Sequence, residues 1–115
     1  MSFRWPNKDP DEQLDYSVDW ERFLGTATIS SVTWSVKSTS YNTKTTLAGG
    51  QTLTVASSSA TTDNIQNVSQ TNTSTVATIN IGGGTNNIEY TFFCNMTDST
   101  GSQAERSIKL RVKER

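Results

Sequence analysis

Apolar and polar side chains alternate with a period of two over most of the chain. Leu14, Tyr16, Val18 and Trp20 alternate with Asp15, Ser17 and Asp19, the signature of a strand with one face buried and the other in water. Trp20–Leu24 has the spacing of a single helical turn closed at Gly25. After it, Ala27 and Ile29 fall on odd positions and Val32, Trp34 and Val36 on even ones. A strand cannot keep both sets on one face without an extra residue, so a bulge or bend is expected near Ser30–Ser31. Gly49–Gly50 marks a turn, and Leu53 and Val55 anchor a short strand. Ile65 and Val68 do not share a parity, and the Ser/Thr run 57–62 has no apolar pattern. Ala77, Ile79 and Ile81 define a further strand that stops at Gly82–Gly83–Gly84.

The last third fixes a register. Ile88, Tyr90, Phe92, Cys94 and Met96 are even-numbered, and so are Ala104, Ile108, Leu110 and Val112. Two strands of a hairpin that face one core must oppose residues of equal parity. A three-residue loop, Ser99-Thr100-Gly101, satisfies this with glycine in the left-handed position. Opposed residue numbers then add to 200: Met96 meets Ala104, Phe92 meets Ile108 and Ile88 meets Val112. On the other face Glu89 falls opposite Arg111, a favourable charge pair.

Composition turns this pattern into a fold class. Ser, Thr and Asn make up 43 of 115 residues, and β-branched Thr suits a pleated, half-exposed surface better than a helix. Ten aromatic residues and a net charge of only -1 set the chain apart from a disordered one. About seven short strands in one domain predict an all-β, immunoglobulin-like β-sandwich, with Trp34 as its core tryptophan and a jelly roll as the alternative. The domain spans 14–115. Residues 1–13 form an extended N-terminal arm broken by Pro6 and Pro10.

Several classes of function are excluded on chemical grounds. The chain has no histidine and one cysteine, which removes imidazole bases, Ser-His and Cys-His nucleophiles, thiolate clusters and intramolecular disulfides. The three glycines at 82–84 are followed by Thr85 and Asn86, so the phosphate-binding lysine of a nucleotide loop is missing. Asp9, Asp11, Glu12, Asp15 and Asp19 lack the spacing of a calcium loop. No cofactor and no catalytic site are expected. Near-neutral charge argues against nucleic acid as a partner, and no apolar run approaches the ~20 residues that span a membrane. The N-terminus has no apolar signal-like core, and one cysteine fits synthesis in a reducing cytoplasm.

The candidate chemistry is that of an interface. Cys94 has inward parity and reads as a small buried hydrophobe. Arg106 also has inward parity and is expected at the end of the sandwich, its stem covered and its head in solvent. Phe93 points the other way, onto an otherwise polar face. Phe3, Arg4 and Trp5 sit on an arm that cannot bury two large rings by itself. The arm either folds back on its own sandwich or lies against another subunit, with the second favoured. Phe3, Arg4, Trp5 and Phe93 are therefore the candidate protein-interface residues. Removing residues 1–10 is expected to leave a folded monomer that no longer enters its assembly.

The segment Asn7-Lys-Asp-Pro-Asp-Glu-Gln-Leu-Asp-Tyr-Ser-Val-Asp-Trp20, the stretch Ile29-Ser-Ser-Val-Thr-Trp34-Ser-Val and the ending Arg106-Ser-Ile-Lys-Leu-Arg-Val-Lys-Glu-Arg115 resemble a family of small virion proteins of tailed bacteriophages, the phage fibre-tail adaptor proteins. Gly25-Thr-Ala-Thr-Ile29 stands where members of that family usually carry Gly-Asp-Thr-Ile. The resemblance implies a non-enzymatic structural protein of the virion, present in several copies or as a homo-oligomer. Its partners would be other virion proteins: tail, fibre or coat subunits. The leading reading is an adaptor joining the tail to receptor-binding fibres or spikes. The alternative is a capsid cement or decoration protein that stabilises the coat shell. A sugar-binding module ranks third, because the predicted sheet offers one surface aromatic.

Overall fold

A computed structural model describes residues 3–39, 44–52 and 65–114. Among them nine strands and one helical turn follow in order: β1 (Phe3–Arg4), β2 (Leu14–Asp19), α1 (Glu21–Leu24), β3 (Ile29–Ser38), β4 (Thr45–Thr46), β5 (Gln51–Thr52), β6 (Gln66–Asn72), β7 (Val76–Gly82), β8 (Ile88–Asp98) and β9 (Gln103–Val112). The expected strand at Leu53 and Val55 and the Ser/Thr run 57–62 lie outside the described residues.

The strands form two sheets, one ordered β1-β9-β8-β3-β4 and the other β2-β7-β6-β5. In immunoglobulin lettering the first is G-F-C with flanking strands and the second is B-E-D, so the architecture is the predicted all-β, immunoglobulin-like sandwich. Tyr90, at the start of β8, accepts a 2.8 Å hydrogen bond on its hydroxyl from the Thr85 N–H. This ties the β7–β8 corner in the manner of the tyrosine corner of such domains. Between the sheets lie the even positions of β2, β3, β8 and β9 and the odd positions of β7. Trp20, Trp34, Tyr90, Phe92, Ile79, Met96 and Leu110 are almost completely buried.

The hairpin of β8 and β9 has the register read from parity, from Ile88 opposite Val112 to Met96 opposite Ala104. Its turn is locked by Asp98, whose Oδ1 accepts from the Thr100 N–H (2.9 Å), the Thr100 hydroxyl (2.6 Å) and the Ser102 N–H (3.0 Å). Gly101 adopts φ 92°, which the loop requires of a residue without a Cβ. The parity break in β3 is a register shift between Ile29 and Ser31. The conflict between Ile65 and Val68 has the same origin. A second shift, between Asn67 and Ser69, puts Val68 at the bulge and turns Asn67 inward. There the Asn67 amide donates to the Leu47 carbonyl at 2.8 Å, which offsets the cost of burying it.

In the single chain the N-terminal arm packs on its own sandwich, one of the two placements left open for it. Phe3 and Arg4 pair in parallel with Ile108 and Lys109. Pro6 interrupts the ladder because it has no N–H, and pairing resumes where the Lys8 N–H reaches the Arg111 carbonyl at 3.0 Å. Trp5 stacks on Tyr16 with ring centroids 4.8 Å apart and also packs on Trp34 and Phe92. Lys8 is fully covered, and its ammonium donates to the Asp9 and Gly83 carbonyls at 2.8 and 2.5 Å. Burial lowers its pKa, while Glu12, Asp9 and Asp11 pull it back up.

Candidate docking surface

The outward residues of the five-stranded sheet form rows that cross the strands. Successive registers place Lys37, Thr91, Lys109 and Arg4 side by side on β3, β8, β9 and β1. The β3–β4 register, continued by one residue, brings Lys44 beside Lys37. The next row holds Thr46, Ser35, Phe93 and Ser107. Phe93 thus stands between two serines at the middle of the sheet, with a line of cations along one side of it.

The ring is engaged by that line. The Lys44 ammonium lies 4.6 Å from its centroid and that of Lys37 5.9 Å, both within cation–π range. Lys44 also pairs with Glu105 at 2.6 Å, and Arg4 with Glu89 at 2.7 Å. Lys109 stands 3.9 Å from the same Glu89 carboxylate. The hydrogen bond from Arg4, with the charges of Arg4, Lys109 and Arg111, holds the Glu89 carboxyl below its ordinary range. These exposed pairs add little to stability. The pair with Glu105 orients Lys44 over the half-covered ring.

The other predicted interface residues are placed differently. Arg4 joins the cation row and is exposed. The Trp5 ring lies in the chain's own core, and its indole donates to the Ser17 carbonyl at 3.3 Å. For Phe3 the structure gives the backbone pairing to β9. Arg106 is half-buried, with its guanidinium held at the surface. Its guanidinium lies 4.5 Å over the Trp20 ring and donates to the Asp19 carbonyl at 2.8 Å. Trp5 and Arg106 together cover two carbonyls on the free edge of β2, a guard against unwanted strand pairing. Between them lies a cleft of about 360 Å³, lined by Arg4, Ser17, Val18, Asp19 and Ile108 as well.

Three surface residues were not singled out from the sequence. Phe23 is the exposed large hydrophobic residue among the described ones, 45% accessible and edge-on to Trp20 at 5.9 Å. A single turn that buries Trp20 and Leu24 four residues apart leaves Phe23 facing water, so its helical spacing carried the signal. Lys37 and Lys44 join Phe93 through strand pairings that parity along one strand does not reveal.

Burial pushes the Cys94 thiol up to about 11, away from the reactive thiolate. The Asp9 and Glu12 carboxylates are occupied in a local turn, where the Asp9 N–H donates to Glu12 and the Asp11 N–H to Asp9. Among the described residues no three of His, Cys, Asp or Glu gather where they could hold a metal ion.

No curated protein matches the chain. A family model, described as Podophage GP4 fiber-tail adaptor protein gp77, matches residues 8–111. That stretch takes in β2 to β8 and all of β9 except Val112. The chain belongs to this family of podophage fibre-tail adaptor proteins.

Proposed function

We propose that this protein is a non-enzymatic component of the phage virion that joins the tail to receptor-binding fibres or spikes, in several copies per particle. The family supports a structural role among other virion proteins. The observation that carries the reading is the outer face of the five-stranded sheet, where Phe93 is held between serines beneath Lys37 and Lys44. A rigid sandwich that presents an oriented aromatic within a charged rim is suited to docking on another folded surface.

Two measurements test this. Quantitative mass spectrometry of purified virions is expected to find about a dozen copies, set by tail symmetry, whereas hundreds would match a shell cement protein and overturn the adaptor reading. Phage carrying Phe93→Ala is expected to assemble particles depleted in this protein and its fibres, since truncating a central aromatic anchor commonly costs about 2 kcal/mol or more of binding. Full incorporation of the variant would remove Phe93 from the interface.

A further inference from the structure

We propose that the outer face of the five-stranded sheet binds the β2 face of a second copy of this same chain, so that copies join head to tail. The proposal rests on the reading above that the Phe93 face is an interface, and it names the occupant.

Charge distribution comes first. The chain as a whole carries -1, yet this face presents Arg4, Lys37, Lys44, Lys109 and Arg111 against only Glu89 and Glu105. Like charges at neighbouring register positions destabilise a sheet, and Lys44 beside Lys37 and Lys109 beside Arg4 are two such neighbours. Glu89 and Glu105 offset only part of this charge, and the face stays net positive. An opposing surface of carboxylates would offset its repulsion.

The chain carries that surface on its other side. On the four-stranded sheet the outward residues of β2 are Asp15, Ser17 and Asp19, all exposed. Their neighbours across the ladder on β7 and β6 are uncharged: Asn80 and Thr78, then Ser69 and Thr71. Among the described residues of this sheet there is no lysine or arginine.

Spacing agrees with sign. Asp15 and Asp19 are four residues apart, about 13–14 Å along a strand. Lys44 and Lys109 are three strands apart, as are Lys37 and Arg4, and three inter-strand steps come to about 14 Å. A β2 strand laid across the five-stranded sheet therefore brings each aspartate over a cation, with Ser17 above the middle of the row. The two surfaces face opposite ways, so the contact is heterologous and repeats into a ring or a filament.

Sedimentation velocity on the full chain tests the contact without virions. At low ionic strength the mean mass is expected to rise between micromolar and millimolar protein, and to fall back to the monomer as salt shortens the screening length. Lys37→Glu with Lys109→Glu removes one cation from each matched span. Asp15→Asn with Asp19→Asn removes the carboxylates without adding a cation, the asparagines keeping the acceptors used by the Asn80 amide and the Glu21 N–H. Each variant alone is expected to be monomeric, with an unchanged near-ultraviolet circular dichroism spectrum. An equimolar mixture, with one intact face of each kind, is expected to give a discrete dimer and nothing longer. A wild-type chain monomeric at millimolar concentration, a mixture that stays monomeric, or a lysine variant that associates as before would each overturn the proposal. Should a variant lose its folded spectrum, Lys37→Gln with Lys109→Gln decides instead: association weakened at least severalfold supports the contact, and unchanged association overturns it. Virion copy number bears on the adaptor reading alone, so the two can fail separately.

Discussion

At the scale of single residues, two aromatic side chains, Trp5 and Phe93, meet different fates. Trp5 sits among polar and proline residues yet packs on Tyr16, Trp34 and Phe92. Replacing it with alanine is expected to cost about 3–5 kcal/mol, read as a lower urea midpoint at unchanged slope. Phe93 is half-covered and outside the core, so Phe93→Ala is expected to shift stability by less than about 1 kcal/mol while disturbing assembly. That contrast separates a folding residue from a docking residue in one pair of denaturation curves. Cys94, buried with its pKa raised to about 11, is expected to react with a thiol reagent such as Ellman's only at the rate of global opening. Fast labelling of the native protein would contradict its burial. Parity along the strand had already assigned Cys94 and Phe93 to opposite faces. Trp5 was not assignable in that way, because an arm interrupted at Pro6 and Pro10 has no period to read and its ring is placed by a parallel pairing with the other end of the chain.

At the scale of elements, local rules predicted local outcomes. The β8–β9 hairpin was legible because two runs of even-numbered apolar residues and one three-residue loop admit a single register, and both sheet irregularities lie where parity conflicts. What stayed hidden was contact between elements remote in sequence, including the neighbours of Lys37 and the cover over the edge of β2. The hairpin turn also carries a pH dependence. The Thr100 hydroxyl, and then the backbone N–H groups of Thr100, Ser102 and Gly101, favour the ionised Asp98 carboxylate and lower its pKa. With the folded pKa below the unfolded value of about 3.9, its contribution is complete above that value and is lost as pH falls through the folded one. Glu89 acts in the same direction. Stability is therefore expected to drop in acid, below about pH 4, and Asp98→Asn to flatten part of that drop in a series of thermal melts. At the β7–β8 corner, Gly84 has φ +101°, and a Cβ there would lie 2.7 Å from Val112 Cγ2. Gly84→Ala is expected to cost about 1–3 kcal/mol from strain and overlap together, measurable by the same melts.

At the scale of the whole molecule, the N-terminal segment decides whether the sandwich stands without its first ten residues. That segment supplies the edge strand β1, the Trp5 ring among three core aromatics, and the Lys8 ammonium that ties Asp9 to Gly83. It also makes backbone bonds along β9, from the Trp5 N–H to the Lys109 carbonyl and from the Lys113 N–H to the Lys8 carbonyl. Loss of the tryptophan alone is worth about 3–5 kcal/mol, and a domain of this size is stable by about 5–15 kcal/mol in total. Removal of residues 1–10 would also bare the Ile108 side of β9 and leave the Ser17 carbonyl without its indole donor. The truncated chain is therefore expected to lose cooperative unfolding or to melt far below the full-length protein. An amide spectrum with native dispersion and an unchanged melting temperature would show instead that the segment is an appendage. The distinction reaches function. A dispensable arm is free to dock on a neighbour, whereas an arm built into the core leaves docking to the sheet faces, where Phe93 and the cation row are displayed.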